Sequence, residues 1–173
     1  SMITNDPTVL ERADFAERYA RALNYTLYSQ GASHHTSTFL GLTFEPGSET
    51  VRYLSAGHPP AMLIPKEVDE LRGNRKPVSL ISRHNVLGLF PDFQGRVSMH
   101  SFKPGDQVIA YTDGVPLATN ARVLGQFVSH HHQDQMIDAL PKALYDAVWE
   151  VEGKRRNKAP DDDVSIIWFR GAA

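Results

Sequence analysis

The sequence predicts an α+β fold built on antiparallel strands, and three observations carry that prediction. Strand-like segments come in close pairs around turns of Pro-Gly type, at Pro46-Gly47 and again at Pro104-Gly105. Segments with helical spacing stand apart from those pairs, near the two ends of the chain. No strand-helix-strand alternation runs through the sequence, so a parallel sheet with crossover helices has no support.

Each element has a local reason. From Asp6 to Gln30 the pattern is helical: Asp6 can cap, Pro7 suits a first helical position, and Phe15, Tyr19, Ala22, Leu23 and Leu27 recur at steps of three and four. Gly31 then ends it as a left-handed cap. A hairpin follows, with residues 38–44 as one strand, Glu45 to Glu49 as the turn and residues 51–55 as the return. A short strand at residues 61–64 leads into a mixed-charge stretch from Lys66 to Lys76 without periodicity, read as a solvated loop or lid. Strands resume at residues 96–102 and 107–112 as a second hairpin about Lys103-Pro104-Gly105-Asp106. Residues 134–151 return to helical spacing through Met136, Leu140, Leu144 and Val148, with Pro141 kinking or restarting the helix. A strand at residues 164–169 closes the pattern.

Composition narrows the function. A length of 173 residues, 41% of them hydrophobic and 22% charged, fits one globular domain over 1–173. The 18 Lys and Arg nearly cancel the 20 Asp and Glu, so no positive field covers the molecule and nucleic acid is not an expected partner. The absence of cysteine removes disulfides, zinc-thiolate sites, iron-sulfur clusters and thiol nucleophiles. No run approaches the roughly 18 apolar residues that cross a bilayer, and no secretory signal opens the chain, so a cytoplasmic location without membrane contact is expected. Ser1-Met2 reads as a residue left by tag removal and a start or cloning methionine, so the natural protein is expected to begin elsewhere.

Three places can carry chemistry. Tyr111-Thr112-Asp113-Gly114-Val115 follows an apolar strand and sets a carboxylate at its end, although Asp-Gly is equally a common hairpin turn. Pro160-Asp161-Asp162-Asp163-Val164 precedes the last strand; a solvated acidic turn is the plainer reading, but carboxylates at two strand ends can converge on one rim, where they suit hard cations such as Mg²⁺ or Mn²⁺. Ser55-Ala56-Gly57-His58-Pro59-Pro60 holds His58 in a stiff turn, and an imidazole bonded to the backbone is slightly favoured there over a catalytic one. His130-His131-His132 reads as a solvated stretch, because three consecutive side chains cannot all face one ion on a regular element. Asn24-Tyr25-Thr26 matches a glycosylation acceptor but falls in the predicted helix and is discounted. Serine-hydrolase elbows, Walker loops, dinucleotide fingerprints and His-Glu-x-x-His are absent.

Taken in order, Ala56-Gly57-His58-Pro59-Pro60, Leu87-Gly88-Leu89-Phe90, Pro104-Gly105-Asp106, Tyr111-Thr112-Asp113-Gly114-Val115 and Asp162-Asp163-Val164-Ser165 resemble the metal-dependent protein phosphatase superfamily. The match is to its bacterial serine phosphatases, typified by stage II sporulation protein E and the stress-response sigma-factor regulators. The resemblance implies an α-β-β-α sandwich of two antiparallel sheets flanked by helices, here lacking its N-terminal strands. It implies a two-metal Mn²⁺ or Mg²⁺ site with Asp113 and Asp162 as ligands, Gly114 beside them and Asp163 as an accessory ligand. Two cations about 3.5 to 4 Å apart would then activate a bridging water for attack on phosphoserine or phosphothreonine, with no covalent intermediate. The implied partners are a phosphorylated regulatory protein, such as an anti-sigma-factor antagonist, and an upstream sensor or receiver domain in the same chain.

Two departures limit the transfer. Nothing between Ser1 and Thr36 matches the family's Asp-x-x-Gly-His-Gly type motif, whose aspartate bridges both metals, and Pro116-Leu117 stand where the family has a polar residue and Glu. They keep open an inactive phosphatase-like module that binds the regulatory protein, and, more weakly, a different metal hydrolase such as a nuclease. Missing strands would also leave unpaired sheet edges, so a homodimer or strand-exchanged assembly is expected.

Overall fold

The computed structural model describes residues 15–30, 35–66, 77–114 and 165–171. Within them lie one helix, α1 (Phe15–Ser29), and seven strands: β1 (Phe39–Phe44), β2 (Thr50–Ala56), β3 (Ala61–Ile64), β4 (Val78–Leu80), β5 (Ser98–Ser101), β6 (Gln107–Tyr111) and β7 (Ile166–Arg170). They form two sheets, ordered β1-β2-β5 and β4-β3-β6-β7, and each of the pairs β1–β2, β2–β5, β3–β6 and β6–β7 is antiparallel. This is the α+β class that the sequence predicts. Compact packing divides the chain into two units, one of residues 1–60 and 80–102, the other of residues 61–79 and 103–173.

In the first unit, α1 lies on the β1–β2 hairpin. The predicted helix start at Asp6-Pro7 and the cap at Gly31 lie outside the described residues. The buried stripe differs from the predicted one: Ala22 faces solvent and Tyr19 is 37% exposed, while Ala16, Ala20 and Asn24 are buried at successive steps of four. Small side chains let the helix backbone approach the sheet, where Ala16 and Ala20 cluster with Leu54, Ala56 and Leu87, and Leu23 and Leu27 pack against that cluster. The aromatic rings lie beside this contact, Tyr19 stacking on Phe15 at 5.9 Å and tilting over Phe39 at 6.1 Å. Gly41 of β1 belongs to the same close approach, since a Cβ there would sit 3.2 Å from that of Ala16. The first hairpin forms as predicted, in register from Phe39↔Ala56 to Phe44↔Val51, with Gly47 at φ 78° in its turn.

The predicted second hairpin does not form. β5 pairs with β2, from Thr50↔Ser101 to Tyr53↔Ser98, whereas β6 pairs with β3 and β7 in the other sheet. The intervening turn is tied to the end of β7 instead: Gly105 N donates to Gly171 O at 3.2 Å and Gly171 N to Asp106 O at 2.9 Å. β4 had no counterpart in the sequence reading, being only three residues, Val-Ser-Leu.

The second unit is built on β3 and β6, both buried along their whole length. Their apolar runs, Ala61-Met62-Leu63-Ile64 and Val108-Ile109-Ala110, are the pattern of central strands covered on both faces. Beside them Asp106, 6% exposed, accepts from Lys66 N at 2.7 Å with Oδ1 and from Lys103 N at 2.8 Å with Oδ2. Hydrogen bonds to a charged group contribute more than neutral ones, and removing one partner strands the other. Asp106→Ala is therefore expected to lower unfolding free energy by about 2 to 4 kcal/mol in urea titration. Asp106→Asn, which keeps one acceptor oxygen, should lose about half as much.

Candidate functional site

The two strand ends that the sequence singles out are neighbours. The β6–β7 ladder runs to Tyr111↔Ile166 and is extended by Thr112, whose N–H donates to Ser165 O at 3.0 Å and whose Oγ1 accepts from Ser165 N at 2.9 Å. Asp113 is the next residue, exposed, and among the described residues its carboxylate makes no hydrogen bond or ion pair. Gly114 follows it, half-buried. Asp162 and Asp163 lie outside the described residues, as do His130, His131 and His132. Ser165, two positions after Asp163 in sequence, is the residue that pairs with Thr112 beside Asp113. An unpaired carboxylate at a strand terminus is a hard oxygen donor of the kind Mg²⁺ and Mn²⁺ take. It is one ligand of several: among the described residues no group of three or more His, Cys, Asp or Glu gathers to hold a metal.

His58 lies in the first unit, at a turn shaped by the residues around it. β2 ends at Ala56, and Gly57 takes φ 65° where a Cβ would meet Val86 Cγ1 at 2.2 Å, so only glycine fits. Gly57 N donates to His84 O at 3.0 Å and Ser55 Oγ to His58 O at 2.8 Å. The His58 ring donates from Nδ1 to Pro59 O at 2.8 Å, which leaves Nε2 as the acceptor nitrogen. That is the imidazole bonded to the backbone which the sequence reading favours.

The turn also borders a cavity of about 700 Å³, formed by Asn24 of α1, residues 55–58 and the loop from Ser82 to Gly95. The loop is held on both sides. Ser37 and Leu87 exchange backbone hydrogen bonds of 3.1 and 2.9 Å, and Asn24 grips residues 88–91 with its side-chain amide. His84 Nε2 accepts from Arg96 N at 3.2 Å, and its ring stands edge-on to Phe93 at 5.9 Å. Apart from Leu87-Gly88-Leu89-Phe90 in the motif series, sequence reasoning left this loop unassigned. Its signal is compositional: a polar run, Ser82-Arg83-His84-Asn85, sits between the apolar pairs Leu80-Ile81 and Val86-Leu87.

Comparison with known proteins places this arrangement. The family model described as Stage II sporulation protein E (SpoIIE) matches residues 6–171. The chain is similar in structure to the RsbU and RsbW domains of a Mycobacterium tuberculosis protein, at 19% identity and TM-score 0.66, covering 95% of this chain and 46% of that one. It is also similar to a Streptococcus agalactiae serine/threonine phosphatase, at 12% identity and TM-score 0.66, over 92% of this chain and 70% of that one. The phosphatase domain of the cell-fate determinant SpoIIE from Bacillus subtilis aligns at 13% identity and TM-score 0.58, over 95% and 70%. At these identities the likeness is one of fold, and the chain spans less than half of the mycobacterial one. No curated protein sequence matches.

Proposed function

The chain belongs to the Stage II sporulation protein E (SpoIIE) family of phosphatase domains, and on that premise we propose that it is a metal-dependent serine/threonine protein phosphatase domain. Its substrate is phosphoserine or phosphothreonine on a regulatory protein, such as an anti-sigma-factor antagonist, in cytoplasmic signal transduction. An upstream sensor or receiver domain in the same chain controls it. The observation that carries this reading is the family match across residues 6–171, with the Asp113 carboxylate unpaired at the end of β6 where β7 begins.

In this reading Asp113 and Asp162 hold Mn²⁺ or Mg²⁺, with Gly114 and Asp163 beside them. Such ions, when bound, supply an activated water at neutral pH and neutralise charge on the phosphoryl oxygens. The Thr112 pairing with Ser165 ties the end of β6, which Asp113 follows, to the start of β7, which Asp162 and Asp163 precede in sequence. The absence of cysteine is consistent with direct hydrolysis rather than a thiophosphoryl enzyme.

The test is phosphate release from phosphoserine peptides by the full-length protein in Mn²⁺. Release is expected to vanish with EDTA and to fall at least about a hundredfold in Asp162→Asn. Peptide binding without release by the wild type would replace this reading with the inactive interaction module, which the departure at Pro116-Leu117 favours. Cleavage of phosphodiesters with phosphoserine spared would point to a nuclease.

A further inference from the structure

From the end of β6 we infer that Thr112 is a positioning residue: its hydroxyl holds the start of β7 against the residue before Asp113, and so sets the spacing between Asp113 and the acidic segment that precedes Ser165. The inference rests on the metal-dependent reading above for the cation that uses this spacing, and on the strand ends themselves for the hydroxyl.

The β6–β7 ladder closes differently at its two ends. Where β6 begins, backbone groups close it: Gly105 N donates to Gly171 O at 3.2 Å and Gly171 N to Asp106 O at 2.9 Å. Where β6 ends, the pair Tyr111↔Ile166 is followed by Thr112 opposite Ser165. Two residues in a hydrogen-bonded antiparallel pair exchange two backbone bonds. Here the first is present, Thr112 N to Ser165 O at 3.0 Å, whereas the second donor, Ser165 N, is taken by the Thr112 hydroxyl at 2.9 Å. A side chain serves where a carbonyl serves in a regular ladder. The chain turns immediately afterwards, with Asp113 and Gly114 in the turn.

That exchange of acceptors has a mechanical reason. A carbonyl acceptor at residue 112 would hold the following peptide in the ladder, and β6 would run on straight. The hydroxyl stands on Cβ, so it satisfies Ser165 N and leaves that peptide to rotate into the turn. Threonine suits the task, because its branched Cβ restricts χ1 and keeps the oxygen aimed at one donor. The bond is exposed to solvent, so water competes for it and its share in global stability is small. Its effect is on position.

Position matters because of what flanks this contact. Asp113 follows Thr112 directly and is exposed, its carboxylate without a hydrogen bond or ion pair among the described residues. Asp162 stands three positions before Ser165 in sequence. Carboxylates are the oxygen donors that Mg²⁺ and Mn²⁺ take, and ligands drawn from two segments serve one site only when held to about 0.5 Å. Groups that orient ligands without touching the ion typically change its affinity by about 10- to 100-fold.

The experiment uses the full-length protein with Thr112→Val and Thr112→Ser. Valine keeps the branched shape and removes the acceptor, whereas serine keeps the hydroxyl and removes a methyl group. Ser165 is exposed, so water can take up its N–H, and the thermal midpoint of either variant without metal should stay within about 4 °C of wild type. The probe is Mn²⁺ alone, its affinity read by calorimetric titration; turnover of phosphoserine peptides is followed separately as Mn²⁺ is raised. Thr112→Val should bind Mn²⁺ about 10- to 100-fold more weakly, and Thr112→Ser within about threefold of wild type. Turnover by Thr112→Val should be low in scarce Mn²⁺ and return towards wild type in excess, a recovery that a folding defect would not show. Wild-type Mn²⁺ affinity in Thr112→Val, or an equal loss in Thr112→Ser, would overturn the inference, and with wild-type turnover intact would leave the phosphatase reading standing. Affinity that depends on the hydroxyl, with no turnover by any of the three proteins, would sink the phosphatase reading and leave Thr112 in its role. No Mn²⁺ binding by the wild type would overturn both.

Discussion

Asp113→Asn is expected to abolish Mn²⁺-dependent phosphate release while leaving the fold untouched. The two halves of that statement have separate physical reasons. The carboxylate is exposed and, among the described residues, bonded to nothing, and surface changes of this type shift stability by no more than about 0.5 kcal/mol. A carboxamide offers one neutral oxygen in place of a charged pair, which a hard cation binds far less well. Calorimetric titration of the full-length protein with Mn²⁺ should therefore show a weaker site in the variant, by about a hundredfold or more, and phosphoserine peptide turnover should fall by about 10² to 10³. Unchanged Mn²⁺ affinity would remove Asp113 from the metal site. Lost activity with an early thermal transition would instead assign Asp113 a structural role that its lack of partners argues against.

The sequence was most legible where a turn or a run had one physical solution. Pro46-Gly47 between two alternating segments admits little but a hairpin, and the register from Phe39↔Ala56 to Phe44↔Val51 follows from it. The runs of β3 and β6 are apolar throughout because both strands are central. Pro104-Gly105 looked identical and misled, because a turn signal states that the chain reverses and not which strand it then joins. That choice was made by long-range bonds, from Gly105 and Asp106 to Gly171 and from the Asp106 carboxylate to Lys66, which no local pattern encodes. The helix face was misplaced for a related reason. Periodicity favoured the large residues Phe15 and Tyr19, whereas close packing on β2 required the small ones, Ala16 and Ala20. At the candidate site, Asp113 was legible as a carboxylate at a strand end. The cavity was not, since its wall joins residues about 30 to 70 positions apart in sequence, each ordinary by itself.

Asn24 is the clearest of those hidden residues, and its replacement carries a large expected loss of stability. It lies within α1 at 2% exposure, where an amide would be costly unless bonded. Its Oδ1 accepts from Gly88 N at 2.8 Å, and its Nδ2 donates to Phe90 O at 3.0 Å and Pro91 O at 3.2 Å. The same burial disposes of the glycosylation match at Asn24-Tyr25-Thr26, since the amide nitrogen is already engaged on both carbonyls. Asn24→Ala strands the buried Gly88 N–H and unties residues 88–91 from the helix, so unfolding free energy should fall by about 2 to 4 kcal/mol in urea. Asn24→Asp keeps the acceptor for Gly88 but sets a negative charge against two carbonyl oxygens. Its folded carboxyl should then bind a proton more tightly than the unfolded one. By linkage that variant should be least stable near neutral pH and gain stability as pH falls towards the ordinary carboxylate value of about 4. A loss that is the same at every pH would mean that the two carbonyls do not face the charge. Gly88 supplies the counterpart, because it takes φ 82° and an added Cβ would lie 2.1 Å from His35 O, a backbone atom that cannot swing aside. Gly88→Ala should therefore break the same latch from its other side. The double variant should lose less than the sum of the single losses, since neighbouring residues that share one contact cannot each remove it twice. If instead the losses add, the helix and the loop are held by separate contacts. The wall of the cavity would then keep its shape without Asn24.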